Sequence, residues 1–372
     1  MKKILIIAAE NSAETYGIDV IKEFKKNNKN VEFFGIGGDK FKEMGVGLIA
    51  HRNELSIVGI VEVITHLLKL YKIKNNIIKK VKTEDICCAI LIDFPDFNLR
   101  LAKELKKLNI PIYYYISPTI WAWRYNRVKI IKKYIKHLFI IFPFEIDIFK
   151  KEKVNFTYVG HPLLRKIKPS LSKEEFREKI NVNKNDFLIT LLPGSRISEV
   201  KTLLPIMIKS LRLLKKDMNF KTVLLKADNI DKNLINEVIR DFEIKIIDQK
   251  DNYNLINSSD FIITTCGTSN LESAILNVPF VATYKVNPLT YYLGKPFLRI
   301  STYSIVNILL GKKVIPELIQ NKLTPENIYK HTKRLITNKN EYNEIKSEFK
   351  KLNKILKTDF LPHEIIFKTI NL

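Results

Sequence analysis

The chain has 372 residues and a formal net charge of +24, a length that suits two average domains better than one. Its 46% hydrophobic and 27% charged residues exclude a disordered or collagen-like chain. Three cysteines (Cys87, Cys88 and Cys266) exclude a disulfide scaffold, and the adjacent pair inside an apolar run fits buried thiols in a reducing compartment.

Taken in chain order, apolar runs of strand length alternate with helical patterns. Residues 3–9 read as a strand and 15–26 as a helix; 31–36, 87–92, 112–116 and 137–142 read as further strands, with helical spacing at 98–107 and 124–136. The pattern then restarts, with strands at 187–192, 222–226, 244–247, 261–265 and 280–283 and helices such as 199–215 and 269–276. This is the α/β signature of βαβ units around parallel sheets. A polar, proline-containing stretch after Gly160-His161-Pro162 sets the expected boundary near residue 165, giving domains 1–165 and 166–345 and a charged helical tail at 346–372. Two Rossmann-like domains in tandem are expected to form a cleft between the carboxyl ends of their strands.

No apolar stretch reaches the roughly 18 to 20 residues that span a bilayer. The start, Met1-Lys2-Lys3 and then Ile4 to Ala9, stops at Glu10-Asn11 after six apolar residues, short of an export signal, so a cytoplasmic location is expected. The charge admits three readings. Nucleic acid is the first, yet only 11 of the 63 basic residues are arginine, the residue that supplies bidentate base contacts. Lysine drift on solvated helix faces, in a chain also rich in Ile and Asn, accounts for more of it. An anionic membrane surface is the third.

Two strand-to-helix turns suit an anion. Leu192-Pro193-Gly194-Ser195-Arg196 precedes Ile197-Ser198-Glu199; Gly194 lets the backbone approach a phosphate, helix-start N–H groups point at it, and Arg196 adds a cation. The alternative is an ordinary turn with Ser198 as N-cap. In Thr265-Cys266-Gly267-Thr268-Ser269 a strand again ends in small residues before a helix, and Glu272 sits where it reaches sugar hydroxyls or simply supports the helix dipole. Two such turns in one domain favour a nucleotide-sugar diphosphate, and neither is a Walker loop. In the first domain Asp93 ends an apolar strand as a candidate general base, with Asp96 expected to cap the following helix. Glu10 and Ser12 occupy the first βα turn. Both tryptophans lie in the loop 117–124, where lining a sugar or acyl site competes with simple packing. The six histidines show no metal spacing, so no catalytic metal is expected. Finally, Val61, Val63, Ile64, Leu67, Leu68 and Tyr71 recur at helical spacing beside Lys69 and Lys72. That stripe suits an interfacial helix on an anionic bilayer or an amphipathic helix packed on the sheet.

With these residues in order, the sequence resembles the lipid-A-disaccharide synthase family, inverting glycosyltransferases of the two-domain GT-B type. The resemblance runs over nearly the whole chain. It rests on the turn 8–14, the segments 34–38 and 59–63, Asp93-Phe94-Pro95-Asp96-Phe97-Asn98, Ser117-Pro118-Thr119-Ile120-Trp121-Ala122-Trp123-Arg124, Pro143-Phe144-Glu145, Gly160-His161-Pro162-Leu163, residues 192–196, and Gly267-Thr268-Ser269 with Glu272. It implies that the 6-hydroxyl of 2,3-diacylglucosamine 1-phosphate (lipid X) attacks UDP-2,3-diacylglucosamine, giving a β-1,6-linked disaccharide 1-phosphate and UDP. It also implies Asp93 as base, Glu10 and Ser12 beside it, and Gly194, Ser195, Arg196, Gly267, Thr268, Ser269, Glu272 and Asn307 on the donor side. No cofactor is implied; peripheral attachment to the inner membrane and a homodimer through the C-terminal part are. Ala9, Ala13 and Glu14 stand where the family usually has Gly, Gly and Asp, and alanine suits no position of positive φ. The geometry of that loop, and the roles of Ser12 and Glu14, therefore turn on its backbone. Other readings are a UDP-sugar enzyme with a different acceptor, and a nucleic-acid-binding protein.

Overall fold

The computed structural model describes residues 2–28, 30–55, 63–240 and 242–371, and of residues 63–66, 289 and 290 the backbone only. The chain divides into two compact units, Met1–Pro162 with Leu356–Leu372, and Leu163–Ile355. The first unit holds β1 (Lys2–Ala8), β2 (Val31–Gly37), β3 (Gly47–His51), β4 (Ile86–Ile92), β5 (Ile112–Tyr115), β6 (His137–Ile140) and β7 (Phe156–Tyr158), in the order β3-β2-β1-β4-β5-β6-β7. The second holds β8 (Leu188–Leu192), β9 (Lys221–Lys226), β10 (Lys245–Asp248), β11 (Phe261–Thr265), β12 (Phe280–Tyr284) and β13 (Glu317–Ile319), in the order β10-β9-β8-β11-β12-β13. All pairings are parallel.

The central strands are buried on both faces, Ile4 to Ala8 being 0% exposed, as parallel sheets covered by helices require. Leu5 and Ile7 face one core cluster, Ile4 and Ile6 the other. Helix Asn11–Asn27 buries Tyr16, Val20, Ile21 and Phe24, the i, i+4, i+5, i+8 stripe of an amphipathic helix. Gly35 (φ 147°) is required where β2 pairs with β1 at Ile6, since a Cβ there would lie 1.9 Å from the Ile6 carbonyl oxygen.

Three strands go beyond those expected: β3, β7 and β13. Each sits at or next to a sheet edge, is three to five residues long, and is mostly half-buried, so none carries an apolar run. The segment 346–372 is not one tail. Helix Lys339–Leu356 lies almost wholly in the second unit, whereas helix Pro362–Ile370 packs on Asn11–Asn27 in the first. There Phe367 meets Phe24 edge-on at 4.9 Å.

The first loop needs no glycine, because neither Ala9 nor Ala13 has positive φ and both are buried. Glu14 is buried and turned inward. It accepts the N–H groups of Gly38 (2.8 Å) and Phe41 (3.1 Å) and pairs with Arg52 Nε at 2.9 Å, fastening the first helix to the start of helix Asp39–Glu43.

Beyond β5, β6 and β7 lie three buried polar residues, Ser117, Glu145 and His161. Burial pushes the Glu145 carboxyl up to about 8, against the N–H of Phe142 that donates to it at 3.2 Å. Burial also pushes His161, packed on Phe142 with ring centroids 5.2 Å apart, down to about 3. Both groups are therefore neutral in the folded protein near pH 6. Because the raised Glu145 must ionise on unfolding, it costs stability progressively as pH rises from about 4.5 to about 8, at about 1.4 kcal/mol per unit. Glu145→Gln is expected to remove that alkaline loss. Its melting temperature should exceed that of the parent at pH 8.5 by more than at pH 5, read by thermal denaturation at the two pH values.

Candidate active site

In each sheet the strand order reverses once, between β1 and β4 and between β8 and β11. Adjacent crossovers there leave toward opposite faces, and the crevice opens at the carboxyl ends of those strands. The candidates Glu10, Ser12 and Asp93 fall at the first of these points and those of the turns at Gly194 and Gly267 at the second; Asn307 and the described residues of the stripe 61–72 lie elsewhere.

In the first unit Ala8 pairs with Ile92, so Glu10 and Asp93 emerge side by side. Asp93 and Phe94 have φ of 49° and 48°, a consecutive left-handed pair without glycine, costing about 1–3 kcal/mol at each residue. The surroundings hold it. The Tyr114 hydroxyl donates to the Asp93 carbonyl at 2.6 Å, and the Asn98 amide donates to it at 2.7 Å and to Ile92 O at 3.3 Å. The Asp93 N–H donates to Tyr115 O at 2.9 Å. Burial, then the like charge of Glu10, push the Asp93 carboxyl up to about 6, opposed by a backbone hydrogen bond at Phe94. Glu10 and Ser12 are exposed, Glu10 as the N-cap residue of helix Asn11–Asn27 and Ser12 in its first turn.

Asp96 does not cap its helix. The N-cap residue of Pro95–Lys107 is Phe94, and Asp96 instead accepts from Arg124 Nη1 at 2.9 Å and Arg127 Nη2 at 2.5 Å. Both guanidinium groups lie over the Trp123 ring, at 4.2 and 5.4 Å. Two cations beside one carboxylate outweigh a cap that needs the side chain to turn back on its own backbone. Trp121 packs edge-on against Phe142 and Phe144 at 6.3 and 5.1 Å.

In the second unit a cavity of about 320 Å³ joins both expected anion turns. It is lined by Gly194, Ser195, Arg196 and Glu199, by Thr265 to Ser269, and by Glu272, together with Leu225, Ala227, Gln249 and Asn252. Gly194 has φ 110°, and a Cβ there would meet Glu199 Oε2 at 2.3 Å. The N-cap residue of helix Ile197–Leu214 is Arg196 and not Ser198, because Glu199 reaches back to accept the Arg196 N–H at 3.3 Å. The exposed Arg196 guanidinium rests on Glu199 Oε1 at 2.8 Å. Such a surface pair contributes about 0–1 kcal/mol, so it is exchanged at little cost.

Across the cavity Ser269 Oγ is 2.7 Å from Thr264 Oγ1, and Gly267 and Thr268 are exposed. Burial raises the Glu272 carboxyl, opposed by the Asn252 amide that donates to it at 3.4 Å. Among the described residues Asn252 Oδ1 and Thr265 Oγ1 are buried without a hydrogen-bond partner. Asn307 is not brought to the cavity. Its amide donates to Ile315 O and Glu317 and accepts from the N–H groups of Val314 and Ile315, which uses its full capacity. Sequence reasoning missed Gln249 and Asn252, which start the short turn Gln249–Asp251 and helix Asn252–Ser258 in a polar stretch without an apolar run, and Tyr114, one of three consecutive tyrosines on β5.

Helix Val63–Thr83 packs one face on the sheet and leaves another exposed. Ile73, Ile77 and Val81 are buried on the sheet, whereas Leu67, Leu68 and Tyr71 are exposed beside Lys69 and Lys72. Val61 lies outside the described residues, as do the side chains of Val63 and Ile64. No helix among the described residues is long and apolar enough to cross a membrane.

A family model described as Lipid-A-disaccharide synthetase matches residues 4–366. The lipid-A-disaccharide synthase of Sulfurihydrogenibium sp. is 36% identical over 359 residues, covering 92% of this chain and 91% of its own. That of Myxococcus xanthus is 33% identical over 338 residues, covering 90% and 88%. Among solved structures, a UDP-GlcNAc 2-epimerase from Neisseria meningitidis bound to UDP-GlcNAc aligns with a TM-score of 0.68 at 14% identity, over 100% of this chain and 99% of that one. A glycosyltransferase from Rickettsia africae aligns at 0.59 and 15% identity, over 99% and 97%. These likenesses are of fold, two parallel-sheet α/β domains of the GT-B class.

Tyr114→Phe and Asn98→Ala each remove one donor from the Asp93 carbonyl. Each is expected to lower stability by about 0.5–2 kcal/mol in urea denaturation, and to lower kcat by a larger factor than it raises KM.

Proposed function

The chain belongs to the lipid-A-disaccharide synthetase family and is a glycosyltransferase that forms the lipid A disaccharide; from that premise we propose that it works by a single inverting displacement. The donor is UDP-2,3-diacylglucosamine and the acceptor 2,3-diacylglucosamine 1-phosphate. The observation that carries this reading is the Asp93 carboxyl, pushed up to about 6 and fixed by its own backbone at the switch point. Asp93 takes the proton of the acceptor 6-hydroxyl as that oxygen bonds to the anomeric carbon. The bond from that carbon to the diphosphate oxygen breaks on the opposite side, UDP leaves, and the linkage becomes β. A base with a value near the working pH is effective in such a transfer. Glu10 and Ser12 orient the acceptor hydroxyls.

The leaving diphosphate gathers negative charge as the bond breaks. We assign Arg196 and the helix starts at Gly194-Ser195 and Gly267-Thr268-Ser269 to hold it, since fixed cations and N–H dipoles stabilise developing charge without rearranging. Glu272 takes the ribose hydroxyls. In this scheme no metal and no cofactor takes part.

Both substrates are anionic amphiphiles. The exposed Leu67, Leu68 and Tyr71 beside Lys69 and Lys72 support contact of the first unit with the anionic inner face of the cytoplasmic membrane, and give part of the +24 charge a task that does not involve nucleic acid. A homodimer, implied by the family resemblance, is expected to show twice the chain mass in solution.

Incubation of the protein with both lipids in detergent should yield the disaccharide 1-phosphate by mass spectrometry, and its absence would sink the reading. Asp93→Asn is expected to lower kcat by about 10²–10⁴-fold. In the parent protein kcat should fall tenfold per unit as pH drops below about 6, where the base is protonated. Turnover should be unchanged by EDTA; loss that returns with added magnesium would contradict the metal-free scheme.

A further inference from the structure

The loop after β5 carries a cationic cluster with no task in the displacement itself. Tyr115 of β5 pairs with Ile92 of β4, so the loop leaves the sheet beside the Asp93 turn. It folds back on itself. The Trp123 N–H donates to Thr119 O and its indole N–H to Thr119 Oγ1, both at 3.2 Å. The Arg127 N–H donates to Arg124 O at 3.0 Å. The two guanidinium groups thereby meet over the Trp123 ring and converge on one oxygen, Asp96 Oδ1. Asp93 lies three residues before Asp96, at the start of the same helix. Burial, then the Asp93 charge, raise the Tyr114 hydroxyl, and the Arg127 charge opposes them. That hydroxyl donates to the Asp93 carbonyl at 2.6 Å, so Arg127 and Asp93 act on one group.

A strap between loop and helix is the plain account of this cluster, and three features exceed it. The Arg124 and Asp96 side chains are 51% and 65% exposed, and an ion pair this wet contributes little to stability. Arg124 nevertheless has φ 51°, a left-handed backbone that a long side chain adopts only under constraint. Arg127 is 9% exposed yet shares its carboxylate with a second cation, which leaves one positive charge over. Among the described residues no other carboxylate pairs with either arginine. Each guanidinium carries five N–H donors and gives one nitrogen to Asp96. Donors and charge both remain for an anion.

We propose that Arg124 and Arg127 bind the phosphate of the acceptor, a sugar 1-phosphate monoester, and so direct its 6-hydroxyl to Asp93. The proposal rests on the acceptor being 2,3-diacylglucosamine 1-phosphate. In that sugar C5, which bears the 6-hydroxymethyl group, and C1, which bears the phosphate, are joined through the ring oxygen. Placing the 6-hydroxyl at Asp93 therefore puts the phosphate within one ring's width of it. Two arginine forks match the oxygens of a phosphate, and contact with Trp123 holds the forks before the ligand arrives. Asp96 keeps both in register without cancelling them.

The test uses the full chain in detergent, with the 1-phosphate acceptor as substrate and 2,3-diacylglucosamine, which lacks the phosphate, as its competitor. Arg124→Ala is expected to raise the acceptor KM by about 10–100-fold, the range of a hydrogen bond to a charged group. The donor KM should stay within about twofold, as should the inhibition constant of the phosphate-free sugar. A strap alone would weaken both sugars together, and equal loss overturns the proposal. So does an unchanged acceptor KM, or a rise confined to the donor. Asp96→Asn, which keeps an oxygen for both arginines but removes the opposing charge, is the second variant. It decides if Arg124→Ala melts early or if the phosphate-free sugar does not compete. There the acceptor KM should fall by about 2–5-fold, and an unchanged or raised value overturns the proposal. Failure of the reaction scheme shows separately, as a parent that forms no disaccharide from the two lipids.

Discussion

Everything in the candidate site depends on one constraint of parallel sheets. A strand joined to a parallel neighbour must cross over through a segment on one face, and the hand of that crossing is fixed. When the order runs 3-2-1-4, the crossover after β1 and the one after β4 must take opposite faces. The buried clusters record this, with Ala13 and Val20 of the first helix on one side and Phe97 and Leu101 of the helix after β4 on the other. The helix starts diverge, the backbone polar groups at the strand ends lose their neighbours, and a crevice forms. Glu10 and Asp93 stand in one such crevice, and the turns at Gly194 and Gly267 in the other.

The two crevices are tuned differently. At Asp93 the protein keeps a carboxylate partly out of water and next to a like charge, which raises its affinity for a proton, and holds its backbone in the left-handed region through Tyr114 and Asn98. Around Arg196 it does the reverse, leaving the cation exposed and its partner Glu199 exchangeable. In the proposed scheme a base is raised in advance of the reaction, and an anion site lets its ligand come and go.

Much of this was legible in the sequence because it rests on apolar runs and on the residues that end them. Strands buried on both faces announce themselves, and so do Asp93, Gly194 and Gly267 at their ends. Edge strands such as β7 and β13 did not, since half-buried backbone needs no apolar run. Residue-level choices at helix starts were misjudged where a tertiary partner decided them. Asp96 was drawn to Arg124 and Arg127, some 28 and 31 residues away, and Glu199 moved the cap from Ser198 to Arg196. Glu14 and Asn307 carry family positions yet are consumed by backbone hydrogen bonds that only the folded chain reveals.

The return of residues 356–372 to the first unit bears on how the protein is made. During synthesis Phe24 and its neighbours emerge early, but the helix that covers them, Pro362–Ile370, leaves the ribosome only after the whole second unit. At about 5–20 residues per second, the roughly 200 residues between the last strand of the first sheet and that helix take roughly 10–40 s. For that time the first sheet carries an uncapped aromatic face, so the unit completed last is the one begun first, and the nascent chain has something for a chaperone to hold.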